Sequence, residues 1–142
     1  MPLTLWTDEC EVGINSLDAD HIIIFSLINH VDDAIRSKAN TNTIRSMLRV
    51  LIYFAVDHFQ REETLMKKNN FPDTDAHMAE HHRIVMDLQS RLVAFEQNPS
   101  SGISGEIIDV LAAWANGHVL ESDMQYRPFL TEQEPPPQEA AS

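Results

Sequence analysis

The sequence predicts an all-α fold: an antiparallel up-down-up-down four-helix bundle with an irregular N-terminal arm. Three observations carry that expectation. Apolar residues recur at helical spacing through four stretches, the mark of helices with one buried face. Glycine is scarce, with four in 142 residues. The third observation is the run at 58–81, HFQREETLMKKNNFPDTDAHMAEH. It holds His58 and Glu62, then His77 and His81, each pair four residues apart and so on one helix face. The break between them, Lys67 to Asp73, has the basic and Asn residues of a helix end, then Pro72 and Asp73 for a restart. Two antiparallel helices joined by so short a turn bring the two pairs together.

Composition narrows the classes. The chain is one domain with room for a sizeable core. Its formal net charge of −12 opposes binding to nucleic acid or anionic membranes. No apolar run is long enough to span a bilayer, and MPLTLWTDECEVG does not read as a signal peptide. Cys10 stands alone, which leaves no internal disulfide or cysteine-based metal site. A cytoplasmic protein is expected.

Residues 1–17 read as the arm, broken by Pro2, Gly13 and Asn15, with Trp6 as a packing anchor. The first helix is expected from Asp18 or Asp20 to about Ser37, with His21, Ile24, Phe25, Ile28, Val31 and Ile35 on one stripe. His30 falls on the opposite side. The second helix is expected to be capped by Thr41 or Thr43 and to run to about Asn69. Its stripe runs through Ile44, Met47, Leu48, Leu51, Phe54 and Ala55 into His58, Glu62, Leu65 and Met66. An unpaired carboxylate on such a face is costly, so Glu62 points to a bound cation and not to a solvated surface pair. The third helix is expected from Asp73 or Asp75 to before Asn98, with His77, His81, Ile84, Leu88, Leu92 and Phe95 inward and His82 on its flank. The fourth is expected from near Ser104, with Ile107, Ile108, Leu111, Trp114, Ala115, His118 and Ser122 inward. Residues 1–130 form the domain; TEQEPPPQEAAS, residues 131–142, reads as a disordered acidic, proline-rich tail.

Chain direction then gathers the histidines. His21 and His77 stand near the starts of the first and third helices, His58 and His118 near the ends of the second and fourth. In an up-down-up-down bundle all of these fall at one pole. A lone core histidine is ordinarily a hydrogen-bonded structural residue, but five on converging faces are not. They exceed the four ligands of a zinc ion. Six or seven imidazole and carboxylate donors suit two octahedral-leaning ions with bridging carboxylates, and suit iron. Two Fe(II) ions carry +4; two carboxylates and a hydroxide bridge leave about +1. So nearly neutral an imidazole-rich pair should bind O2 by transferring electrons to it.

The motifs LDADH (His21), HFxxEE (His58, Glu62), HxxEH (His77, Glu80, His81) and HxxxxD (His118, Asp123) resemble the hemerythrin family in its bacterial single-domain form, over roughly residues 5–130. The resemblance implies two iron ions, oxo- or hydroxo-bridged, that bind O2 reversibly and end-on at one iron. His77, His81 and His118 would hold one iron, His21 and His58 the other, with Glu62 and Asp123 bridging. Asp123 comes from the motif alone. Five residues are about 500° of ideal helix, so Asp123 lies roughly 140° round from His118, and Glu121 or Ser122 fits the face better.

Two positions depart from the family pattern. Asp20 precedes His21 where Gln or Glu is common. Trp114-Ala115 stands where the family usually has Trp-Leu, whose Leu lines the O2 pocket; Ile24, Phe59 and Val119 would line the rest. The expected function is O2 carriage, storage or delivery, without enzymatic turnover beyond a side activity. The expected partners are O2 and small ligands such as azide and NO. The other readings are a sensor of O2, NO or redox state acting through a partner protein, a di-iron enzyme with peroxidase-like or nitrite-reducing activity, and a purely structural metal bundle.

Overall fold

The computed structural model describes residues 3–99 and 101–130. Pro2, Ser100 and the expected tail at 131–142 lie outside the described residues. Four long helical stretches form the bundle: α1 (Asn15–Arg36), α2 (Thr41–Lys68), α3 (Thr74–Gln97), and α4 (Ser101–Ala113) with its continuation. Each packs on the next, and α4 returns to α1. That is the expected up-down-up-down order, and no strand interrupts it among the described residues.

Three helix starts differ from expectation. α1 begins at Asn15, before Asp18. The Asp18 carboxylate instead accepts hydrogen bonds from the arm, from the backbone N–H groups of Val12 (2.8 Å) and Gly13 (3.2 Å). Gly13 has φ 89°, which glycine adopts without steric cost. Asp18 therefore ties the arm to the helix and does not cap it. α2 is capped by Asn40, whose side chain accepts from the Thr43 N–H at 2.8 Å. α4 begins at Ser101, earlier than Ser104.

The first two turns of the bundle share one device. Lys38 (φ 59°) and Asn70 (φ 57°) follow α1 and α2 in the left-handed region. The N–H groups of Ala39 and Phe71 reach back to the carbonyls of Ala34 and Met66. These closures absorb last-turn carbonyls and reverse the chain within a few residues.

The arm is less irregular than expected, with a 3-10 turn at Asp8–Cys10. It is pinned by paired hydrogen bonds between the Thr4 backbone and the Asn29 amide (2.9 and 3.0 Å). Trp6 packs edge-on to Phe25, ring centres 5.6 Å apart, in its expected anchoring position.

Two apolar clusters bracket the histidine pole. The main core runs down the bundle through Ile28, Leu48, Leu51, Leu88 and Leu111 to Phe59 and Val119. A smaller cluster of Val12, Ile14, Leu17, Met66, Phe71, Tyr126 and Leu130 closes the end. The histidines lie between grease on both sides. Leu48, fully buried in the main core and about ten residues from His58, isolates packing from the polar site. Leu48→Ala should lower the unfolding free energy in urea by about 2–5 kcal/mol.

Candidate metal centre

α1 supplies His21, α2 supplies His58 and Glu62, and α3 supplies His77 and His81. His118 and Asp123 come from the continuation of α4, where the backbone changes. Trp114–Ser122 is a π-helix, followed by a 3-10 turn at Asp123–Tyr126 and a short α5 (Arg127–Leu130). The Asp123 N–H donates to the His118 carbonyl, five residues back. That i→i+5 bonding puts residues five apart on one face. It removes the mismatch that an ideal helix imposes on this pair. Asp123 is fully buried, while Glu121 is exposed and Ser122 partly so.

All seven sequence-predicted residues converge. Donor atoms of Glu62, His77, His81, His118 and Asp123 lie within 4.8 Å of one another, as do those of His21, His58, Glu62 and Asp123. The two groups share Glu62 and Asp123. His21 Nε2 is 3.2 Å from Glu62 and 3.1 Å from Asp123. His58 Nε2 is 3.1 Å and His81 Nε2 3.0 Å from Glu62; His118 Nε2 is 3.0 Å and His77 Nε2 2.8 Å from Asp123. Ile24, Phe59, Ala115 and Val119 are all buried in the main core, and Phe59 stacks flat on His81 at 3.9 Å. His30 and His82 are exposed, as expected.

Despite this crowding, Nε2 of His21, His58, His81 and His118 has no hydrogen-bond partner, nor do Glu62 Oε1 and Asp123 Oδ2. Buried polar atoms are ordinarily satisfied. Here six of them face one small volume. The far sides of three rings, by contrast, are held, while His21 Nδ1 has no partner. Nδ1 of His58 meets Asp20 (2.9 Å), Nδ1 of His81 meets Glu63 (2.8 Å), and Nδ1 of His118 meets Glu80. A carboxylate behind an imidazole whose other nitrogen is free is the arrangement that orients metal-binding histidines.

Electrostatics agrees. Burial alone would depress His21, but its contacts with Asp123 and Glu62 push it up to about 10. Burial likewise opposes His118, and the Asp123 charge raises it to about 9. Burial, and for Asp123 the Glu62 charge, would raise the carboxyls. The facing imidazoles hold both Glu62 and Asp123 below the ordinary range. Without metal, protons on the imidazoles stand where cations would, and metal binding displaces them.

Four supporting residues are beyond the reach of helical spacing. Asp20 is buried against His58 and Arg61 (2.8 Å). Glu63 and Glu80 reach across to histidines on other helices. Tyr126, fully buried, donates its hydroxyl to Glu62 at 2.6 Å. Asp20, Glu63 and Glu80 stand in the histidine motifs but read there as flank residues. Tyr126 leaves no local signal, because its place depends on the turn after Asp123.

A family model described as the hemerythrin HHE cation binding domain matches residues 12–130. The chain belongs to the hemerythrin family. It is 32% identical over 135 residues to a bacteriohemerythrin of Methylococcus capsulatus, covering 92% of this chain and 99% of that protein. It is 33% identical over 125 residues to a hemerythrin-like protein of Naegleria gruberi, covering 88% and 92%. The crystal structure of a leucine-to-alanine mutant of hemerythrin superposes with TM-score 0.79 at 30% identity, covering 92% of this chain and 99% of that one. Wild-type hemerythrin superposes with TM-score 0.77 at 28% identity, covering 91% and 98%. A hemerythrin's cofactor is a di-iron centre, and the donors here fit one: two overlapping groups with shared carboxylates and unpaired imidazole nitrogens.

Asp123→Asn should leave fewer than two irons per chain in metal analysis. Glu121→Gln should keep both, because Glu121 faces solvent. Equal iron in the two variants would remove Asp123 from the site.

Proposed function

We propose that this hemerythrin binds O2 reversibly, as a carrier, store or deliverer, in the cytoplasm and without enzymatic turnover. His77, His81 and His118 hold one iron, His21 and His58 the other, and Glu62 and Asp123 bridge them. The observation that carries the reading is the inequality of the two donor groups. One has three imidazoles and two carboxylates, the other two imidazoles and the same carboxylates. The poorer group keeps a coordination position for a small ligand.

A ferrous pair supplies the electrons on which O2 binding draws. The chain's own residues do the rest. Asp20, Glu63 and Glu80 fix three rings against rotation. Tyr126 holds one oxygen of Glu62. Ile24, Phe59, Ala115 and Val119, buried in the main core beside the centre, offer no hydrogen-bonding side chain and so would keep water from a bound small ligand. Ala115 is the weak point of that wall, because it fills less space than leucine.

Absorption spectra of the deoxygenated, aerobic and azide-treated protein, taken with metal analysis, test the reading. Two irons per chain and a spectral change reversed by removing O2 are expected. A protein that holds iron with no O2-dependent spectrum is a structural metal bundle instead. His77→Ala or His81→Ala should abolish iron binding, and stoichiometric di-iron in either would refute the ligand assignment. Ala115→Leu should lengthen the life of the oxygenated form, at a stability cost of about 1–3 kcal/mol from overpacking. No slowing of autoxidation would show that Ala115 does not limit it.

A further inference from the structure

The donor groups are enclosed. His21, His58, Glu62 and Asp123 are fully buried, and apolar clusters lie on both sides of them along the bundle. A divalent cation crossing such a layer would lose its water with nothing in exchange. Loading the centre therefore requires a polar way in. His77, at 5%, is the most exposed of the donors. It lines a cleft of about 170 Å3 between the start of α3 and the end of the α4 continuation.

Two other clefts reach a donor histidine, and neither suits a cation as well. The cleft at His118, about 570 Å3, sets Arg83 and Arg91 against its carboxylates. The cleft at His81, about 310 Å3, is walled mainly by Val56, Phe59, Met78 and Val85. The cleft at His77 has no lysine or arginine, and Asp73, Glu80, Ser122 and Gln125 bring oxygen atoms to it. Its two carboxylates outweigh the partial charge of about +0.5 at the α3 N-terminus. The side chains of Asp73 and Gln125 have no hydrogen-bond or ion-pair partner among the described residues.

His77 is also the donor ring least restrained from turning. Carboxylates hold Nδ1 of His58, His81 and His118, and Nδ1 of His21 is sealed from solvent. His77 meets Asp123 through Nε2 at 2.8 Å. Its Nδ1 has no hydrogen-bond partner and is not sealed. Since Nε2 points inward to buried Asp123, the unpartnered edge of this buried ring faces the cleft.

We propose that this cleft is the port through which the centre is loaded with ferrous iron. Asp73 and Gln125 receive the hydrated ion, Glu80 and Ser122 line its way with oxygen, and His77 swings on its unheld edge to admit it to Asp123. The proposal rests on the di-iron reading above. No electron changes hands. Water on the ion is exchanged for protein oxygen and then for imidazole, and any proton on that imidazole goes to solvent.

The test mixes the metal-free chain with ferrous sulfate without oxygen, strips free iron on a chelating resin, and counts bound iron against time. Asp73→Asn should slow uptake about tenfold, the lower end of electrostatic steering. Ala76→Phe, at an exposed position lining the cleft, should slow it at least as much; Ala76→Leu replaces it if circular dichroism shows that it does not fold. Asp109→Asn removes the same charge from an exposed position on α4 and should leave the rate unchanged. Both port variants should still reach the wild-type iron content. Iron loss from Ala76→Phe to excess chelator should slow by the same factor as uptake, because a plugged route leaves affinity alone. Unchanged uptake in either folded port variant, or equal slowing in Asp109→Asn, would overturn the proposal. So would a lowered final iron content, which would put Asp73 in the site and not on the route. Failure of the di-iron reading shows separately, as absent iron in the wild type after prolonged loading, and removes the port with it.

Discussion

Seven ionisable side chains are buried at one pole of this bundle, and their mutual compensation governs the rest of the structure. Glu62 and Asp123 are wholly inaccessible, and every donor histidine is at most 5% exposed. Two carboxylates so placed would each cost several kcal/mol without countercharge. Imidazoles on four different helical stretches supply it. No single element carries enough of them, so the site exists only when the bundle closes. The polar pole and the apolar core are one cooperative unit.

The surroundings follow from that constraint. A carboxylate on the outward nitrogen keeps a buried imidazole from rotating, and Asp20, Glu63 and Glu80 hold three of the rings in this way. The carboxylates need orientation too, and Tyr126 gives it to Glu62. The end of the bundle must then be sealed. The arm, the α2–α3 turn and α5 do this with Val12, Ile14, Phe71 and Leu130. What reads in the sequence as an arm wandering before the first helix is part of the lid.

The π-helix is the most specific adaptation. An α-helical fourth strand of the bundle would present His118 and turn Asp123 roughly 140° away. Changing to i→i+5 bonding over Trp114–Ser122 returns the carboxylate to the same face. Such segments are less favourable than α-helix and persist where a site repays them. The segment also carries Trp114, Ala115 and Val119, all buried in the main core, so the distorted backbone packs the bundle as well as presenting the carboxylate.

Much of this was legible from sequence. Apolar periodicity fixed the four helices, because the side that leaves water must repeat every 3.6 residues. Chain direction alone placed His21, His58, His77 and His118 at one pole. Helix starts were less legible, because Asp18 bonds the arm and Asn40 takes the cap expected of a threonine. Asp123 was named by its motif and contradicted by ideal geometry; only the observed π-helix reconciles the two. Asp20, Glu63, Glu80 and Tyr126 acquire their partners 18 to 64 residues away. Local spacing encodes which face a residue occupies, and the sequence determined that by itself. Which atom on one helix meets which atom on another depends on how the helices pack and twist, and only the tertiary structure decided it.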